Sequence, residues 1–135
     1  MKIAMITVLI WLAFGLFYSG VIEWTGNSFG TYCLDRSNYD VAFTSFGIAL
    51  RANPKSIEAL AGFGELHLLN SHFALAQIDY KTILTIDPQN AEAHCGLGIV
   101  AFKSGNIELA KNCFDKALKE QPDYQVAIDW RKKCE

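Results

Sequence analysis

Charge is scarce in this sequence and evenly mixed where it occurs. Of 135 residues 19% are charged, Lys+Arg 12 against Asp+Glu 14, and the formal net charge is −2. No stripe or cluster of Lys and Arg is present, so the electrostatic footprint of a nucleic-acid binder is missing. The same lack beside the apolar opening removes the polybasic patch that recognises anionic lipid. Four cysteines occur, Cys33, Cys95, Cys113 and Cys134, and none stands in a C-x-x-C pair. Zinc-ribbon, thioredoxin-like and c-type haem readings are excluded together. The cysteines read as small buried apolar residues rather than a disulfide framework, and a Cys95–Cys113 bridge is not expected. His67 and His72 are five apart, off the i, i+4 spacing of helical zinc motifs. Cys33 and His67 could approach, but no residue in the sequence is placed to orient the histidine. No metal, cofactor, small-molecule substrate or enzymatic activity is therefore expected.

Long apolar runs, by contrast, are present. The chain opens MKIAMITVLIWLAFGLFYSG, and Lys2 is the last charge before Glu23. Ile3–Ile22 meets the length of about 20 residues that a membrane-crossing helix needs. A signal peptide has a shorter apolar stretch and ends in small residues; here Phe17 and Tyr18 fill the slots that cleavage after Ser19 or Gly20 would require to be small. The run is read as an uncleaved anchor, with Tyr18 and Trp24 at the headgroup level. Gly15 and Ser19 form a small-xxx-small pair suited to a neighbouring membrane helix. Lys2 before the run and Glu23 after it place the rest of the chain outside the cytoplasm.

Beyond Ile22 the chain is periodic. Gly30, Gly64 and Gly98 recur every 34 residues, as do Ala42, Ala76, Ala110 and Pro54, Pro88, Pro122. Four residues after each alanine stands an aromatic: Phe46, Tyr80, Phe114. The pattern, carried by Phe29-Gly30, Phe63-Gly64 and Leu97-Gly98 with the alanine, aromatic and proline positions, resembles the tetratricopeptide repeat. The resemblance implies two antiparallel helices per unit, in units 23–56, 57–90 and 91–124, with turns at Ser37-Asn38, Asn70-Ser71 and Ser104-Gly105. It implies that Gly and Ala face each other between the two helices and that the aromatic fills the gap to the next unit. Each proline ends the second helix. Ser56 and Asn90 stand at N-cap positions, each followed by a Glu near the positive helix end.

The departures carry expectations too. The family's Trp slot holds Gly26, Leu60 and His94, and its Tyr slot holds Cys33, His67 and Ala101. The first helices should therefore pack with smaller side chains. Gly26 costs up to about 1 kcal/mol in a helix interior, which points to a kink or a close contact there. Residues 125–135 read as the capping helix such arrays need, with Ala127, Ile128 and Trp130 covering the last unit. Trp24, Tyr32 and Tyr39 are candidates for contact with headgroups or another protein.

The resemblance also implies protein binding along a groove of first helices. Its slots hold Asn27, Thr31, Leu34; Ala61, Glu65, Leu68; and Cys95, Ile99, Phe102. Members that clamp acidic C-termini place Lys and Asn there; only Asn27 is reminiscent, so an apolar helix or extended segment is the better guest. The expected protein is all-α: a transmembrane helix (1–22), a three-repeat tetratricopeptide α-solenoid, and a capping helix. Its expected role is an accessory or assembly subunit of a membrane protein complex, contacting lipid bilayer and complex subunits, in a bacterial inner membrane with the repeats on the periplasmic side. Three alternatives stay open: a soluble extracytoplasmic adaptor after signal cleavage, an anchored receptor for transient protein cargo, and a thiol-active enzyme.

Overall fold

The computed structural model describes the backbone of residues 2–135, and the side chains of Tyr18 and of residues 20–135. Seven helices occur among them: α1 Lys2–Asp35, α2 Tyr39–Ala52, α3 Ile57–Leu69, α4 Phe73–Ile86, α5 Ala91–Lys103, α6 Ile107–Glu120 and α7 Gln125–Lys132. No strand is present among the described residues. Most of the apolar run Ile3–Ile22, with Gly15 and Ser19, lies outside the described side chains. Among the described residues no helix is long and apolar enough to cross a membrane.

Each helical pair turns in the same way. Ser37, Ser71 and Gly105 adopt left-handed backbone, at φ 57°, 60° and 82°. The next residue's N–H then reaches back five positions: Asn38 to Cys33 at 2.8 Å, His72 to His67 at 2.7 Å, Asn106 to Ala101 at 2.9 Å. These are Schellman closures, which satisfy carbonyls the helix end would otherwise leave bare. The second helix of each pair ends two residues before proline. Asn53, Asp87 and Gln121 are all extended, because proline's ring disfavours helical backbone in the residue before it. Asn90 and Asn106 cap α5 and α6, accepting from Ala93 N at 2.9 Å and Leu109 N at 3.1 Å. Ser56 does the same more loosely for Ala59 N, at 3.4 Å.

The chain divides into two compact units, Met1–Ala59 and Leu60–Glu135. In the first, α1 and α2 form a hairpin. A Cβ on Gly26 would stand 3.0 Å from the Ser45 carbonyl oxygen and 3.1 Å from the Ala49 Cβ. Gly26 therefore marks a close contact, and α1 runs through it unbroken. The hairpin is tied at its open end by Asn53 donating to Glu23 at 3.0 Å and Asn27 donating to Ser56 Oγ at 3.0 Å. The outer face of α1 keeps Trp24, Phe29 and Tyr32 exposed, with the Arg36 guanidinium 4.8 Å above the Tyr32 ring.

The second unit holds α4 to α7 and most of α3. Its buried cluster joins Cys95, Ala101, Ala110, Phe114, Ala117, Ala127 and Cys134, with Phe102, Tyr124 and Trp130 packed against it. Ala127 is fully buried, so α7 covers the last pair. All four cysteines are free and buried.

The expected Gly–Ala pairing is corrected in one respect. The glycines face the aromatic rings. A Cβ on Gly30 would stand 2.5 Å from Phe46 Cε1, and a Cβ on Gly98 would stand 2.5 Å from Phe114 Cε1. Tyr80 serves two glycines: a Cβ on Gly64 would stand 2.7 Å from its ring, and one on Gly96 would press against the same ring more closely still. The ring lies flat on bare Cα atoms, so the nearest neighbour for which the small residue makes room is the aromatic. Gly98→Ala should cost about 1–3 kcal/mol through overpacking, read as a lowered thermal midpoint. A G98A variant with the wild-type midpoint would contradict the ring-on-glycine contact.

Candidate protein-binding cleft in residues 60–135

Tyr80 determines the geometry of this site. Its ring rests on Gly64 of α3 and Gly96 of α5, so the two first helices come close enough to share one cleft. Two adjoining hollows result. One, of ≈ 270 Å³, is lined by Glu65, Leu68, Tyr80, Glu92, Cys95, Gly96, Ile99, Tyr124 and Val126. The other, of ≈ 420 Å³, is lined by Glu65, Leu68, Leu69, Ser71, Phe73, Ile99, Lys103 and Trp130. Glu65, Leu68 and Ile99 line both, so the two hollows form one continuous cleft whose shared part is apolar but for Glu65.

Its ends differ in charge. Glu92, exposed, lines only the hollow that holds Tyr80 and Tyr124, while Glu65, also exposed, lines both hollows. Burial lifts the Tyr80 pKa, and both carboxylates raise it further. Tyr124 is pushed up to about 12 by burial, with Cys95, Glu92 and Glu65 adding to the shift. Both phenols therefore stay protonated and keep an O–H to donate. Burial, helped by Glu92, pushes the Cys95 thiol up to about 12, which opposes formation of the nucleophilic thiolate. Burial likewise raises Cys113. At the other end Lys103 Nζ lies 5.7 Å from the centre of the Trp130 ring, and Lys133 Nζ sits over the same ring at 3.8 Å.

Of the groove slots expected from sequence, Glu65, Leu68, Cys95 and Ile99 line this cleft. Phe102 does not. It lies beneath Trp130, edge-on at 5.4 Å between ring centres, within the packing against the buried cluster. Asn27, Thr31 and Leu34 belong to the first unit. Asn27 is engaged by Ser56, Thr31 donates to the Ser28 carbonyl at 3.0 Å, and Leu34 is half-buried. Trp24 is exposed. Among the cleft residues missed from sequence are Tyr80, Glu92, Lys103 and Tyr124. Glu92 had a signal, since it occupies the second slot of its unit, but that slot reads equally well as a helix-dipole partner.

His67 is oriented after all. Its Nδ1 meets Asp79 Oδ2 at 2.7 Å, and its ring stacks on Phe63 at 6.1 Å. Residues 67 and 79 lie on different helices, so helical spacing within one element could not reveal the pair. His72 also comes near, at 6.2 Å between ring centres, because α3 ends at Leu69 and the turn redirects the chain. Burial raises the Asp79 pKa, opposed by its hydrogen bond and charge interaction with His67. The pair ties α3 to α4. Among the described residues no three His, Cys, Asp or Glu side chains converge as a metal would require.

Comparison with known proteins bears on the fold. Residues 91–124 match the family profile described as "Tetratricopeptide repeat". This stretch is a tetratricopeptide repeat. Most of the chain shares its fold with solved structures: an O-GlcNAc transferase mutant of Thermobaculum terrenum superposes with a TM-score of 0.82 at 23% identity, over 86% of this chain and 22% of that one. The first tetratricopeptide domain of Spaghetti (RPAP3), bound to the HSP90 peptide SRMEEVD, superposes with a TM-score of 0.75 at 18% identity, over 83% of this chain and 89% of that one. In sequence the chain is similar to the protein CTR9 homolog of Arabidopsis thaliana, 29% identical over 78% of this chain. It spans about 10% of the length of the curated relatives it matches first.

The His67–Asp79 tie has a direct test. Asp79→Ala should destabilise the repeats by about 1 kcal/mol. A double-mutant cycle with His67→Ala should give a coupling of the same order. Purely additive effects in urea unfolding would show that the pair holds nothing.

Proposed function

We propose that this chain is a membrane-anchored tetratricopeptide scaffold that binds protein partners, acting as an accessory or assembly subunit of a membrane protein complex. The observation that carries the binding half is the open cleft through Glu65, Leu68 and Ile99, continuous over two hollows. An apolar strip with polar groups at its ends is the form in which proteins receive a helix or extended segment. The peptide-bound state named for RPAP3 supports a peptide as the kind of guest. The high pKa values of Cys95 and Cys113 favour binding over thiol catalysis.

The anchor half rests on the sequence of Ile3–Ile22 and on the continuity of α1 from Lys2 to Asp35. At about 1.5 Å per residue the helix is long enough to cross a hydrocarbon core of about 30 Å and still carry the first hairpin. With no linker between run and hairpin, the domain meets partners close to the bilayer. Lys2 before the run and Glu23 after it favour an extracytoplasmic, periplasmic repeat domain.

Two measurements test this. Leu68→Glu and Ile99→Glu should each lower recovery of co-purifying partners about tenfold or more from mild detergent, with the melting temperature little changed. Phe102→Glu should instead destabilise the domain, because it places a charge beneath Trp130. Normal partner recovery with a folded double variant of Leu68 and Ile99 would refute the cleft. Release of the protein from membranes by alkaline carbonate, or loss of the opening segment in its intact mass, would refute the anchor.

A further inference from the structure

We propose that the outer face of α1 pairs with the same face of a second copy of this chain, in a parallel two-helix contact. The parallel order rests on the membrane-anchor reading above, since helices held in one bilayer by the same segment point the same way. The contact itself rests on what the face carries. It joins copies of the chain and leaves the cleft of residues 60–135 to other proteins.

The repeat register gives a measure of this face. Thr25, Ser28 and Tyr32 stand two units of 34 before Ala93, Gly96 and Val100. In α5 those three positions are buried, because α4 packs on them and lays the Tyr80 ring on Gly96. In α1 all three are exposed, and with Trp24 and Phe29 they line one shallow depression. Trp24 stands where the later units have Glu58 and Glu92, yet it is 70% exposed. A solenoid end that faces water takes polar residues at such positions. This end instead presents its largest side chain, and Phe29 and Tyr32 stack beside it at 6.3 Å between ring centres. An exposed aromatic patch of this kind marks a contact surface.

The spacing names the occupant. Val21, Thr25, Ser28 and Tyr32 follow one another at intervals of 4, 3 and 4, and all are exposed. That is the seam of a two-helix coiled coil. Trp24 and Phe29 flank the seam on its two sides. In a parallel pair each flanking residue meets the opposite flank five positions on, so Trp24 of one copy meets Phe29 of the second, and symmetry repeats the contact. The seam is free of charge as far as Asp35, the last residue of α1, and Arg36 follows at once to offset it. Pairing with itself therefore sets no like charges against each other along the seam. Thr25 donates its hydroxyl to the Val21 carbonyl at 2.9 Å, so it brings no unpaired donor into the contact. α2 lies against Gly26 and Gly30, on the other side of the helix, and leaves the seam open.

The area is sufficient. Phe29 and Tyr32 are about half exposed and Trp24 more so. At ~200 Å² per aromatic side chain, the three leave roughly 350 Å² to cover. Val21, Thr25 and Ser28 bring this to roughly 500 Å² per copy, or about 1,000 Å² for the pair, the size a specific interface needs.

The experiment is disulfide trapping of the full chain in intact membranes. Ser28→Cys and Thr25→Cys, introduced singly, should each give a covalent dimer on mild oxidation, because both positions lie at the axis of the pair. Thr44→Cys, on the exposed face of α2, should give none. The unaltered chain is the blank, since its four cysteines are buried. Adding Trp24→Glu to Ser28→Cys should lower the dimer yield about tenfold or more and leave the helical circular dichroism unchanged. Absence of a dimer from both 25 and 28 overturns the inference, whether lipid or another protein covers the face. So does a cross-link from 28 to another protein alone, or a dimer that Trp24→Glu leaves intact. Dimers from 25 and 28 that persist in protein released by alkaline carbonate uphold the pairing and refute the anchor.

Discussion

An aromatic ring lying on a glycine Cα is the contact from which the rest of this structure follows. It occurs as Phe46 on Gly30, Tyr80 on Gly64 and Gly96, and Phe114 on Gly98. Each ring comes from the second helix of a pair and finds on the first helix a position with no side chain. The closeness of the helices is therefore set by the thickness of a ring, and Ala42, Ala76 and Ala110 are fully buried beside it. Tyr80 does this twice, and so determines how near α3 and α5 lie. The same side chain lines the cleft they share. Packing and binding geometry depend on one residue, and a change that moves Tyr80 moves Glu65, Leu68 and Ile99 with it.

Much of this was legible because the spacing of 34 is a statement about geometry. Glycine, alanine, aromatic and proline each recur where one supersecondary unit needs them. The helices, turns, proline stops and the cover provided by Ala127 follow from that pattern. Periodicity, however, reports which face a residue occupies and not which residue it touches there. The alanine was taken as the glycine's partner, although an aromatic four residues on shares its face and reaches further. Phe102 had the spacing of a groove residue, yet α7 folds Trp130 over it. The His67–Asp79 tie depends on the turn between two helices, which no single helical wheel contains. Asn106 caps α6 with its side chain, a role that the recurring glycine, alanine, aromatic and proline positions do not mark.

The functional reading joins two features of different origin. The apolar run Ile3–Ile22 is a property of sequence, and α1 carries it without a break into the first hairpin. The cleft is a property of the second unit and of the chemistry along it: Glu92 and protonated phenols at one end, Glu65, Leu68 and Ile99 in the shared part, lysines around Trp130 at the other.

The central claim is that partners dock in the cleft and not on the outer faces of the helices. Site-specific photo-crosslinking tests it most directly. A benzophenone side chain placed at position 68, at 99 and, separately, at 78 on the exposed face of α4 would be irradiated in intact membranes. The account requires the same partner adduct from 68 and 99 and none from 78. An adduct from 78, with none from 68 or 99, would contradict it.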